Sequence, residues 1–191
     1  MTTTEQKILN GIKYFVQNTK NVGRTKLFKL LYFWDFDHFR KYGYSVTGYN
    51  YYTFKFGPVP KVLFNDIIVN KLPSFLDSDL LIIDDSKYDE DDGYKKFKVV
   101  LKNKSIDLDW LSKNELNSLK EIAEIYQEAT AKEMVKISHW KNSPWEITEA
   151  KDGMDKPIDY FLNFDESNEL DKTTFEERYN LQRELLADGR I

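Results

Sequence analysis

The chain has 191 residues with 28 basic and 32 acidic side chains, and a net charge of only -4 excludes a supercharged or disordered polypeptide. Hydrophobic residues make up 41% and aromatic residues 15%, enough ring area for one substantial core, so one domain with an appendage is expected. The lack of cysteine excludes disulfides, thiolate zinc sites, iron–sulfur clusters and a cysteine nucleophile, and it fits a reducing cytoplasm.

In chain order, the N-terminal MTTTEQKILN has no basic region leading into an apolar stretch, and no apolar run approaches the roughly 18 residues of a membrane span, so a soluble, cytoplasmic protein is expected. Residues 5–17 place Ile8, Ile12, Phe15 and Val16 on one helical face and leave Lys7 and Lys13 on the other. From Arg24 to Lys41 the apolar residues Leu27, Phe28, Leu30, Leu31, Tyr32, Phe33, Trp34, Phe36 and Phe39 cover almost the whole circumference, which predicts a central, buried helix. Gly43 ends it. The aromatic run YNYYTFKFGPVP reads as extended, Gly57 and Pro58 interrupt it, and Pro60 suits the first turn of a helix from Lys61 to about Asn70.

Strands are expected at 80–84 and 94–102, joined as a hairpin by DDSKYDEDDG, which reads as a solvated acidic loop and lacks the ligand spacing of a calcium loop. Ser112 with Glu115 and Thr130 with Glu133 form capping boxes that open two helices, the second breaking before Pro144. KPIDYFLNF reads as a short helix, and Thr173 with Glu176 would cap a last helix ending at Gly189. The fold class is therefore α+β: a mainly helical single domain around a buried central helix, with a small antiparallel hairpin or sheet and a C-terminal helical extension. Residues 1–145 carry 22 basic and 19 acidic groups and residues 146–191 carry 6 and 13, which places a boundary near Trp145 between a core and an acidic, mostly helical extension.

Catalysis finds no support in the motifs. G-x-S-x-G, the P-loop and G-x-G-x-x-G are all missing, and Ser138 beside His139 is no triad, because adjacent helical residues point roughly 100° apart. A metal enzyme would need His38 and His139 to converge with Asp35 or Asp37, so this reading ranks below ordinary packed histidines. Nucleic-acid binding is the stronger alternative: Lys41, Tyr42, Tyr44, Tyr49, Tyr51, Tyr52 and Lys55 interleave cations with rings. A sequence pI near 5.4 weighs against it. In KLFKLLYF the leucines pack, while Lys26 and Lys29 are expected to send their amines to the surface along apolar stems.

Three stretches in this order, KLFKLLYF at 26–33, KFGPVP at 55–60 and SHWKNSPW at 138–145, resemble the Panacea, or SocA-like antitoxin, domain, over roughly residues 6–146. Phe56 stands where that family more often has Tyr. The resemblance implies a helical, non-enzymatic antitoxin without a cofactor, encoded beside a toxin gene, frequently in prophage or mobile elements, that neutralises its cognate toxin by direct stoichiometric binding. One family member is associated with delivery of its toxin to a protease, which makes a protease a second conceivable partner. A regulatory protein that binds nucleic acid remains the alternative, and a small hydrolase or metal enzyme ranks below it. For a partner-binding face, the candidates are Tyr51, Tyr52, Phe56, Pro58, Trp145 and Phe175, with at least one tyrosine of the strand facing solvent and the last helix adding charge complementarity.

Overall fold

The computed structural model describes residues 1–69, 71–88, 95–167 and 170–191. Helix α1 (Thr3–Asn18) begins at a capping box of Thr2 and Glu5. It packs on α2 (Arg24–Tyr42), in which Leu27, Leu30, Leu31, Trp34 and Phe39 are each at most 1% exposed. An element apolar on almost every side has no face to give to water, and none of its residues is exposed. Gly43 closes α2 in the left-handed conformation at φ +80°, where its Cα lies so close to Phe175 that a Cβ would sit 3.1 Å from that residue's Cα.

Strands β1 (Tyr51–Phe54) and β2 (Gly57–Pro60) form a tight antiparallel hairpin in which Phe54 pairs with Gly57. The aromatic run is thus folded back on itself at Lys55–Phe56, and Gly57 supplies the positive φ, +90°, that the return requires. Next come α3 (Lys61–Ile68), the single-turn α4 (Ser74–Asp77) and a second hairpin of β3 (Leu80–Tyr88) and β4 (Lys95–Leu101). Asn70, the expected end of α3, and the tip of the acidic loop, residues 89–94, lie outside the described residues. A 3-10 turn (Leu108–Trp110) leads to α5 (Lys113–Ile125) and α6 (Ala131–Ser138), each opened by its expected capping box. Helix α6 ends at Ser138, before Pro144 as expected, and Pro144 starts α7 (Pro144–Asp152), with Ser143 as N-cap.

The acidic C-terminal segment closes the core. Residues 155–158 run along β1, with Thr53 N donating to Lys156 O at 2.9 Å and Ile158 N to Tyr51 O at 2.8 Å. Only a 3-10 turn (Tyr160–Asn163) forms where a short helix was expected, and Tyr160 stacks on Phe36 at 4.3 Å. Helix α8 (Lys172–Ala187) is capped by Asp171 rather than by Thr173. Its Phe175 is fully buried in edge contact with Phe39, and Arg183 donates to Gly48 O at 2.9 Å. The boundary expected at Trp145 falls inside α7, and the C-terminal residues beyond that helix are bonded to β1 and packed on α2. No helix among the described residues is long and apolar enough to cross a membrane.

Candidate functional site: a motif junction and the groove beside it

The two lysines of α2 are interior, not superficial. Lys26, fully buried, donates to the carbonyls of Lys20 (2.8 Å), Gln127 (3.3 Å) and Ala129 (2.6 Å), tying the α1–α2 turn to the α5–α6 turn. Lys29, 1% exposed, donates to Pro58 O at 2.8 Å. Burial pushes the Lys29 ammonium well below the usual lysine value. Lys13, expected on the polar face of α1, is likewise 3% exposed, paired with Asp79 at 2.8 Å and bonded to Ser105 O. Chain carbonyls and carboxylates at loop ends, remote in sequence, draw these amines inward.

Gly57 is where the three stretches of sequence meet. A Cβ there would lie 2.5 Å from Ser138 Oγ, 2.9 Å from Lys29 Cε and 3.0 Å from His139 Nε2. His139 stacks on Trp145 with centroids 3.7 Å apart and planes at 10°, and Trp145 Nε1 donates to Phe54 O at 3.2 Å. Burial, with Lys29 adding to it, pushes the His139 imidazole down to about 4, so this ring is neutral at physiological pH. Elsewhere on α2, the buried Asp35 carboxylate accepts from Val46 N and Thr47 N, both at 2.8 Å, from the Thr47 hydroxyl, and from Tyr51 OH at 2.7 Å.

These contacts place the expected binding residues. Tyr51 is fully buried and spends its hydroxyl on Asp35, Pro58 is buried and gives its carbonyl to Lys29, and Phe175 is fully buried against Phe39. These side chains complete the core. Trp145 is 7% exposed. Tyr52 and Phe56 are half-buried at the hairpin, each under a lysine ammonium, that of Lys61 at 4.7 Å and of Lys55 at 5.3 Å. Of the interleaved rings, Tyr42 and Tyr44 lie against the ring of His38 and Tyr51 is interior. Neither histidine joins a metal cluster: no group of three or more His, Cys, Asp or Glu side chains among the described residues could hold an ion. His38 is fully buried, its Nδ1 at 3.1 Å from Ser118 Oγ.

Next to the junction, α2, the end of α5 and the α6–α7 loop enclose a groove of about 360 Å³. Tyr32, Phe33 and Phe36 form its floor, with Phe33 stacked on Tyr126 at 4.8 Å. Its rim carries two of the large apolar side chains that the fold leaves in water, Ile125 at 59% and Trp140 at 67% exposure. Ser138 belongs to both places, facing Gly57 and lining the groove. The sequence alone does not single out Trp140, Ile125, Phe33, Tyr126 or Tyr32 as contact residues. A tryptophan in the polar run SHWKNS is the signal that could have found the site.

The profile of the "Antitoxin SocA-like, Panacea domain" family matches residues 27–146. The chain belongs to this family. The matched segment begins inside α2 and ends inside α7, and so contains the junction at Gly57 and almost the whole groove. Neither the curated proteins nor the solved structures contain a match. The family assignment accounts for the three stretches together: in the Panacea domain of this chain they are one contact.

Proposed function

We propose that this Panacea-domain protein is the antitoxin of a toxin–antitoxin pair and neutralises its toxin by occupying it, without a cofactor and without turnover. The observation that carries the reading is the groove. It lies within the family segment, its floor is aromatic, and its rim exposes Trp140 and Ile125, whereas a protein with no partner for this face would lose nothing by placing polar side chains there. Tyr52 and Phe56 at the β1–β2 hairpin, together with the edge of Trp145, are a second contact patch, reached through the Gly57 junction. The exposed acidic residues of α8, Glu176, Glu177 and Glu184 among them, suit a basic partner surface.

The toxin is expected from the gene beside this one, and the complex is expected in the cytoplasm. Co-expression tests both: the neighbouring product alone should arrest growth, and the full-length protein should restore it and co-purify with the product. Restoration by a folded Trp140→Ala/Ile125→Ser variant to the same level as wild type would mean that the groove is not the partner face.

A further inference from the structure

The groove has a hydrogen-bond and charge inventory that specifies more than apolar contact. Asp37, the one carboxylate among its lining residues, is already paired twice, with Arg40 at 3.0 Å and with Lys41 at 2.7 Å. Two further acids are engaged as well: Glu121 pairs with Lys41 at 2.7 Å, and Glu146 accepts from the Asn142 amide at 3.1 Å. Asp165 lies close enough to feel the positive field of Arg40.

The other charged side chains that line the groove, Arg40 and Lys141, are cations. Arg40 gives a single terminal nitrogen to Asp37, and its 41% exposed side chain makes no second ion pair among the described residues. Lys141 is exposed on the loop and makes no ion pair among the described residues.

We propose that the groove takes a partner segment that presents a carboxylate, from Asp, Glu or a chain terminus, next to one large apolar side chain. The carboxylate pairs with Lys141 and Arg40. The apolar side chain lies between Phe33, Tyr126 and Trp140. A cationic segment fits worse, since it would have to displace Arg40 and Lys41 from Asp37. A nucleic acid could also meet the cations and stack on the rings, but the chain's net charge of -4 and pI near 5.4 repel a polyanion, so a protein segment is favoured. This inference rests on the reading that the groove is the partner face.

The test uses the immobilised full-length protein and a phage-displayed random heptapeptide library, at physiological salt. The expected result is enrichment of Asp or Glu beside Leu, Phe or Trp. Synthetic copies of the selected peptides, measured by fluorescence polarisation, should bind Lys141→Glu and Trp140→Ala at least about tenfold more weakly, with the same loss when the peptide Glu is changed to Gln. Both substitutions are at exposed positions, so circular dichroism should match wild type. Enrichment of Lys- or Arg-rich peptides, equal binding to both variants, no enrichment, or preferential binding of a short labelled RNA would each overturn the proposal. Selection of acidic peptides by a protein that fails to neutralise the neighbouring product would leave the groove chemistry standing and remove the toxin. Neutralisation unaffected by Lys141→Glu, with no peptide selected, would do the reverse.

Discussion

Lys29 and Pro58 are joined by a buried hydrogen bond of 2.8 Å between the lysine Nζ and the proline carbonyl, and the carbon that carries this Nζ, Cε, lies against Gly57. The bond fixes the β1–β2 hairpin to the middle of α2, and the bare Gly57 lets Ser138 and His139 of the α6 end close over it. Gly57→Ala should therefore be costly twice over. Its φ of +90° disfavours any side chain, and the new methyl would lie 2.5 Å from Ser138 Oγ. A loss of about 2–4 kcal/mol is expected. Urea denaturation of the variant measures it, and a midpoint equal to wild type would mean that the junction is loose.

Two buried groups give stability opposing dependences on pH. Burial, with Lys7 and Lys41 adding to it, pushes the His38 imidazole down to about 3 from 6.5, so between those values the unfolded chain binds the extra proton. The contribution is complete above about 6.5 and is lost as pH falls towards 3. Burial pushes the Asp35 carboxyl up to about 6 from 3.8, against its four hydrogen bonds, so there the native state binds the extra proton. That contribution is present below 3.8 and is lost as pH rises through 6. Over pH 4–6 the two offset each other, each at about 1.4 kcal/mol per unit. Urea midpoints at pH 4, 5 and 6 should fall as pH rises for His38→Gln, and fall as pH drops, more steeply than in wild type, for Asp35→Asn. An unaltered pH profile for His38→Gln would show that this ring is not held neutral.

The C-terminal segment should be indispensable to the core. Phe175→Ala empties a fully buried site between Phe39, Phe164 and Gly43, at a cost of about 3–5 kcal/mol. Truncation after Trp145 goes further, since it strips β1 of its neighbour at 155–158 and uncovers Phe36 and Phe39. The truncated chain is expected to lose cooperative unfolding in differential scanning calorimetry. A sharp transition near the wild-type temperature would establish residues 1–145 as an independent domain.

Helix α2 was legible in the sequence because apolar residues on every side admit a single environment, and the capping boxes at Ser112 and Thr130 were legible because they are local. Lys26 and Lys29 were misread for a physical reason. A lysine stem on an apolar helix ordinarily carries its amine to water, and what retains Lys26 is a set of carbonyls that includes Gln127 and Ala129, about a hundred positions away. The tail was read as an appendage from its acidity, yet its attachment depends on a few well-spaced rings, Tyr160, Phe175 and Tyr179, within a polar background. Period and composition average over such sparse anchors. The groove follows the same logic: Ile125 looks like the end of a core stripe until the chain folds, and only the packed structure shows that this residue and Trp140 stay in water.

If the Panacea domain of this protein holds its partner through the groove between α2, α5 and the α6–α7 loop, the loss of one exposed ring should weaken the complex. Isothermal titration of the purified full-length protein with an inactivated form of the neighbouring gene product measures that loss. Wild type should bind with a submicromolar Kd at a fixed stoichiometry, and Trp140→Ala should lose at least about 2 kcal/mol of that affinity, roughly thirtyfold. Equal affinity for wild type and a folded Trp140→Ala variant, or no binding by either, would contradict the assignment of the groove.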